Sequence, residues 1–391
     1  MIYQEINMDI IIFEDEILNN LALTSLNGLT WDIAKVFHNK FGKYFFLDNK
    51  KNHYYFDKKW IKSGNVYQMV LDKLICFYEE IHAISLLNEN LGQYSINILN
   101  ILNKLIKQRR QSSCYLVNQI TDFYICDKRK LNESLNKNKT LLGFNNGTYD
   151  FNNFTFRDGL PEDDISLSVN YDFKYEYSEH KNDLLQFLEY VEPDTATRIY
   201  LLKVISLSLT NHKIDFLHIL IGKTNIKKFL NDLIAHTFGE YYISCDSSFI
   251  TTYYKTTKKI EQNTKILTDK RIIVIDEPGF DKKINTVFLK RMLEQKYMIL
   301  FCDEIFKLDR SNESIWWRLS CHDLTTELSD NPMLTYQKPM IENISEKLFL
   351  WKNDFMLLII EHYKLYLVEY VRMTNKIEET TKKYKDLLSS T

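Results

Sequence analysis

Two stretches hold residues whose types and spacing could do chemistry. RIIVIDEP, Arg271 to Pro278, runs four β-branched apolar residues into two carboxylates, Asp276 and Glu277. A buried strand ending this way delivers both acids to its carboxyl edge, where ligands of α/β sheets bind. Such a pair could hold Mg2+ through water and polarise an attacking water, or it could simply lead into an acidic helix start. Upstream, LHILIGKTNIKKFLNDLIAHTFGEYY, Leu217 to Tyr242, sets Gly222-Lys223-Thr224 between an apolar run and an amphipathic stretch. These are the last three letters of the phosphate-binding pattern G-x-x-x-x-G-K-[ST], but Leu217 stands where the leading glycine belongs. A helix N-terminus beside lysines attracts an anion, yet in this register no loop follows the strand FLHILI to wrap the phosphates.

The elements around these stretches are those of an α/β protein. From about Asn182 the pattern reads helix, strand (FLHILI), helix (KKFLNDLIAHTFG), strand (YYISC), helix, strand (RIIVID), helix (KINTVFLKRML), strand (YMILFC). Continuous apolar strands alternating with helices predict a parallel sheet covered on both faces. Residues 1 to about 135 read as a small α/β region. It has a helical TSLNGLTWDIAKVFHNKFG, a strand pair KYFFLD and HYYFDKKW about an Asp48 to Asn52 turn, and helices over about 64–87 and 95–111. Residues 136–181 form a β-rich connector punctuated by Asn146-Gly147 and Asp158-Gly159, dipeptides that tolerate positive φ. The sheet domain spans 182–338, and a helical block fills 339–391.

Composition narrows the class. With 45% apolar residues, the 391-residue chain can fill several cores. Fifty Lys+Arg against 52 Asp+Glu leave a net charge of -2, so no global positive field marks a nucleic-acid binder, although a local basic channel stays open. The six cysteines form no C-x-x-C pair and read as reduced thiols of an intracellular protein, with no structural metal. The start, MIYQEINMDIIIFEDEILNN, lacks the basic head of a signal peptide, and no run reaches a membrane span. The expectation is a soluble protein with no membrane partner.

The order of elements resembles the superfamily 3 helicases of the poxvirus-type primase-helicase group, found in large DNA viruses and some phages. The stretches that carry it are LLGFNNGTYDFNNFTFRDGLPEDDISLSVNYDF, YYFDKKW, RIIVIDEPGFDKKINTVFLK and LFLWKNDFMLLIIEHYKLYL. The catalytic primase domain of fused relatives has no counterpart here. The resemblance implies an AAA+-like P-loop core with a parallel sheet, ATP and Mg2+ as cofactors, and a hexameric ring threading single-stranded DNA in replication, alongside a separate primase or other replication proteins. Family loops read approximately G-x-G-x-x-G-K-[ST]. Matched against them, Lys227 is the phosphate lysine within Gly222, Lys223, Thr224, Asn225 and Lys227, while Ile226 replaces a glycine and Lys228 the Mg2+-ligating hydroxyl. In the literal Gly-Lys-Thr register, Lys223 and Thr224 take these parts. Asp276 and Glu277 match the acidic pair, as metal-holding and water-orienting residues, and Lys290 matches a lysine of the following helix. The DNA-contacting hairpin that follows in the family is deleted. Asp303 stands at the sensor position, where the family has asparagine, and Arg318 matches an arginine finger. Its alternative role is stacking on the adjacent tryptophans.

Lys255, Lys258 and Lys259, with Tyr253 and Tyr254 among them, could track a phosphate backbone, or else form a solvated helix face. His212, His218 and His236 are too dispersed for a ligand set and read as loop or helix packing. The expectation is therefore a helicase relative with impaired unwinding, with an inactive nucleic-acid-binding or assembly paralogue as the alternative.

Overall fold

A computed structural model describes residues 10–47, 52–111, 120, 135–210, 216–251, 267–276, 284–294, 296–306, 313–369 and 372–389. The chain divides into two compact units. The first holds residues 1–135 and 160–166, the second residues 136–159 and 167–391. The connector range is thus shared between them.

In the first unit, α1 (Glu16–Ser25) and α2 (Thr30–Phe41) precede an antiparallel sheet of β1 (Phe45–Leu47), β2 (His53–Asp57) and β3 (Lys59–Lys62). α3 (Val66–Ser85), α4 (Glu89–Gly92) and α5 (Ser95–Gln111) follow. Asp15 starts α1 by accepting the Leu18 N–H at 3.0 Å, satisfying one of the first-turn donors that helices leave open. HYYFDKKW is not one strand. The left-handed Lys58 (φ 59°) folds it into the β2–β3 hairpin. Trp60 is held there by residues 160–166, its N–H bonded to Ile165 O at 2.7 Å and its indole to Pro161 O at 2.9 Å.

The second unit opens with an antiparallel sheet of β4 (Leu141–Gly143), β5 (Thr148–Asp150) and β6 (Thr155–Arg157). α6 (Lys181–Val191) and α7 (Thr195–Ser206) lead to the core. There the strands are β7 (Leu217–Ile221), β8 (Tyr242–Asp246), β9 (Ile272–Asp276), β10 (Met298–Cys302) and β11 (Leu319–Asp323). Between them run α8 (Ile226–Phe238), α9 (Ser248–Thr251) and α10 (Thr286–Leu293). All five strands pair in parallel, in the order β11-β7-β10-β9-β8. A two-stranded ribbon of β12 (Glu327–Ser329) and β13 (Gln337–Pro339) follows, then α11 (Ile344–Leu350), α12 (Lys352–Val368) and α13 (Asn375–Ser389).

β7 shows why the sheet is so apolar. All five of its residues are buried, with Leu217, Ile219 and Ile221 on one face and Leu220 on the other, because helices cover both sides. α10 packs Phe288, Leu289 and Met292 against the first face, and α8 packs Ile226, Leu230 and Leu233 against the second. β11 has no counterpart in the expected elements. Its sequence, Leu-Ser-Cys-His-Asp, gives no apolar run, yet its first four residues are buried. His218, read as loop or helix packing, lies within β7 at 1% exposure. Between α10 and β10 the chain passes from Leu293 to Met298, leaving no room for a hairpin at that junction.

Candidate functional site

The parallel order sets the geometry. β7, which precedes the Gly222 loop, and β9, which ends in Asp276, lie on either side of β10, which ends beside Asp303. All three strands point the same way, so the loop, Asp276 and Asp303 meet at one carboxyl edge.

Gly222 is fixed there by close backbone approach. Its N–H donates to Cys302 O at 3.0 Å, and Leu324 N–H donates to Ile221 O at 2.7 Å. A Cβ on Gly222 would lie 2.3 Å from Leu324 O. Gly222→Ala is therefore expected to lower stability by about 1–3 kcal/mol through overpacking, read as a shift of the urea midpoint. An unchanged midpoint would show that the Leu324 backbone yields freely.

Next along the loop, the Asn225 side chain donates to Leu328 O at 2.8 Å and accepts Leu328 N–H at 3.0 Å, tying the loop to β12. It caps α8 without a side-chain hydrogen bond of its own. Ile226 is fully buried in the core beneath the helix start. Where the family pattern would leave backbone open to a phosphate, this chain inserts a side chain that anchors the loop downward.

A cavity of about 340 Å³ opens at this edge, lined by Lys223, Thr224, Lys227, Lys228, Asn231, Asp276, Phe301 and Asp303. The buried Lys227 ammonium is ion-paired with the Asp303 carboxylate, and the exposed Lys223 with Glu304. The hydrogen bond from Lys223 to Glu304, with their mutual charge, raises the Lys223 pKa. Thr224 Oγ1 is buried with no hydrogen-bond partner among the described residues. Asp276 is exposed and accepts the Ser244 hydroxyl at 3.2 Å.

Of the residues singled out in the sequence, Lys223, Thr224, Lys227, Asp276 and Asp303 line this one cavity. Gly222 and Asn225 shape its loop. Glu277, Lys255, Lys258 and Lys259 lie outside the described residues. Lys290 sits in α10 and is not among the residues lining the cavity. Arg318 immediately precedes β11, at the amino edge of the sheet, with Leu319 paired to Leu217. A five-residue strand separates it from its own cavity by roughly 15 Å. Glu304 and Ser244 were not picked out from the sequence. Two acids in succession after one strand, with two lysines four residues apart just after another, is the signal that could have raised Glu304.

Comparisons with known proteins agree with the expected lineage. A family model described as "D5 N terminal like" matches residues 34–197. Two viral proteins, each named "Putative helicase", are similar along the sequence. The one from Acanthamoeba polyphaga mimivirus is 28% identical over 60% of this chain, and the one from Invertebrate iridescent virus 6 is 27% identical over 50%. The chain is a relative of the viral D5-type superfamily 3 helicases. These matches span only 28% and 21% of the length of the two viral proteins. The apo structure of the NrS-1 C-terminal region is 14% identical and covers 55% of this D5-type relative and 53% of that chain. Its TM-score of 0.37 is too low to establish a shared fold. Among the described residues, no helix of the D5-type relative is long and apolar enough to cross a membrane.

Proposed function

We propose that this D5-type relative is a helicase-like protein of viral DNA replication whose nucleotide pocket survives as a scaffold while ATP-driven unwinding is impaired. The observation that carries this reading is the meeting of Lys227, Asp276 and Asp303 in one cavity at the carboxyl edge of the sheet. The donor set suits a magnesium polyphosphate: lysines, a buried hydroxyl at Thr224 that no group among the described residues satisfies, and the Asp276 carboxylate. Bound there, a nucleotide would supply the phosphoanhydride whose cleavage drives such motors.

Lys227 would hold the phosphates, with Lys223 at the mouth, and Asp276 would hold the metal through water. Glu277 would orient the attacking water. Arg318 is at the wrong edge to reach its own cavity, so it would serve a neighbouring copy in a ring. Single-stranded DNA would be the nucleic-acid partner, with Lys255, Lys258, Lys259 and Lys290 as candidate contacts.

Impairment is argued from Ile226 and Lys228. The first fills the core where a phosphate loop needs a bare backbone, and the second replaces a metal-ligating hydroxyl. The two internal ion pairs favour a second reading, a nucleic-acid-binding or assembly protein without turnover. Purified protein with Mg-ATP and single-stranded DNA is expected to hydrolyse at or near background and to unwind nothing. Strong DNA-stimulated hydrolysis that vanishes in Glu277→Gln would overturn the impairment. Hydrolysis that is flat in both proteins supports it.

A further inference from the structure

We propose that the protein's own carboxylates occupy its anion pocket: Asp303 and Glu304, consecutive residues just past β10, take the positions on Lys227 and Lys223 that a polyphosphate would take. This rests on the nucleotide reading above and adds how the site is regulated. Any polyphosphate must enter by exchange, displacing the 303–304 segment, so the resting pocket is self-inhibited.

Three features carry it. First, the acids are held over the loop. Cys302 O, one residue before Asp303, accepts the Gly222 N–H at 3.0 Å, and this pins the end of β10 to the start of the loop. Second, the pairs differ in kind. The Lys227 side chain is only 9% exposed against 48% for Asp303, whereas Lys223 and Glu304 are 67% and 51% exposed. The inner lysine is a nearly buried cation that needs an anion beside it, and removing its partner outright is far more disruptive than breaking the outer, water-screened pair. Third, Thr224 Oγ1, lining the same cavity, has no hydrogen-bond partner among the described residues. The internal carboxylates satisfy the charges and leave a hydroxyl that a ligand oxygen could use. Asp276, lining the same cavity, adds to the repulsion of a second anion unless a divalent cation accompanies it.

The test is equilibrium binding of Mg-ATPγS, by calorimetry and by thermal shift, to the full chain and four variants. Asp303→Asn keeps an oxygen that accepts from Lys227 while removing the charge, so affinity is expected to rise at least tenfold. Glu304→Gln, at an exposed position that does not threaten folding, is expected to raise it two- to threefold. The double variant should show both gains, and Lys227→Met should bind more weakly than the parent. If the parent already binds as tightly as the folded double variant, or if Glu304→Gln and Asp303→Asn bind no better than the parent, the self-inhibition is wrong while the pocket assignment stands. If no variant binds and Lys227→Met changes nothing, the nucleotide reading itself fails and takes the self-inhibition with it. Inorganic triphosphate as a second probe separates phosphate recognition from recognition of the base. A gain with ATPγS but none with triphosphate would also overturn the exchange at the two lysines.

Discussion

Arg271→Met is expected to lower the unfolding free energy of the second unit by about 3–5 kcal/mol, the scale of breaking a buried charged network. Arg271, just before β9, is 2% exposed. Its guanidinium donates to Lys139 O at 2.7 Å and to the carbonyls of Leu141 and Leu209, and it lies 5.0 Å from the Tyr241 ring. Methionine matches the stem but leaves three carbonyls without donors in a dry interior, each with its own desolvation penalty. Burial lowers the arginine's pKa to about 10, so the group stays charged at neutral pH. Arg271→Lys should recover little, because a point charge cannot reproduce the fork that serves three carbonyls. Urea unfolding measures the change. A loss below about 1 kcal/mol would mean that water reaches those carbonyls.

The second large effect is acid sensitivity. His218 and His322 are both buried, on neighbouring strands, with ring centroids 5.9 Å apart. Tyr200 of α7 stacks on His322 at 5.7 Å, Tyr297 lies 6.2 Å from His218, and Ser320 Oγ is 3.2 Å from His322 Nε2. Burial pushes His218 well below its ordinary range, with His322 adding to the effect. Burial also brings His322 down to about 4, assisted by Lys376 and opposed by Asp323. Both histidines therefore fold as neutral rings. Their contribution is complete above the unfolded value near 6.5 and is lost as the pH falls toward the folded value. For His322 alone the loss is about 2 kcal/mol by pH 5, and His218 works in the same direction. Urea midpoints at pH 7.5, 6 and 5 should fall accordingly, and His322→Gln should flatten the slope. A flat profile in the parent protein would show that the cluster protonates without cost.

The same cluster explains what could be read from the residues alone. FLHILI, YYISC, RIIVID and YMILFC stand out because strands covered on both faces must be apolar throughout. β11 did not, because Ser320 and His322 satisfy part of their polarity against each other in the interior, and hydrophobic pattern carries no trace of such a pairing. The site was legible to the extent that it depends on order. Asp276 ends a strand while Asp303 and Lys227 come soon after two others, and parallel strands bring such ends to one edge. Invisible were contacts set by the tertiary fold, such as Asn225 with Leu328 and Lys227 with Asp303. Ile226 could be seen as a lost glycine, but not as a side chain anchored in the core.

The division of the chain has a practical consequence for dissecting it. The backbone leaves the first unit after residue 135 and returns to it for residues 160–166. No single cut yields both units whole. A fragment ending at 135 would lose the segment that bonds Trp60 and would expose an indole otherwise 2% accessible, whereas a fragment beginning at 136 would carry that segment with nothing to hold it. Recombining the first fragment with a peptide covering 160–166 should restore the native fluorescence of that tryptophan.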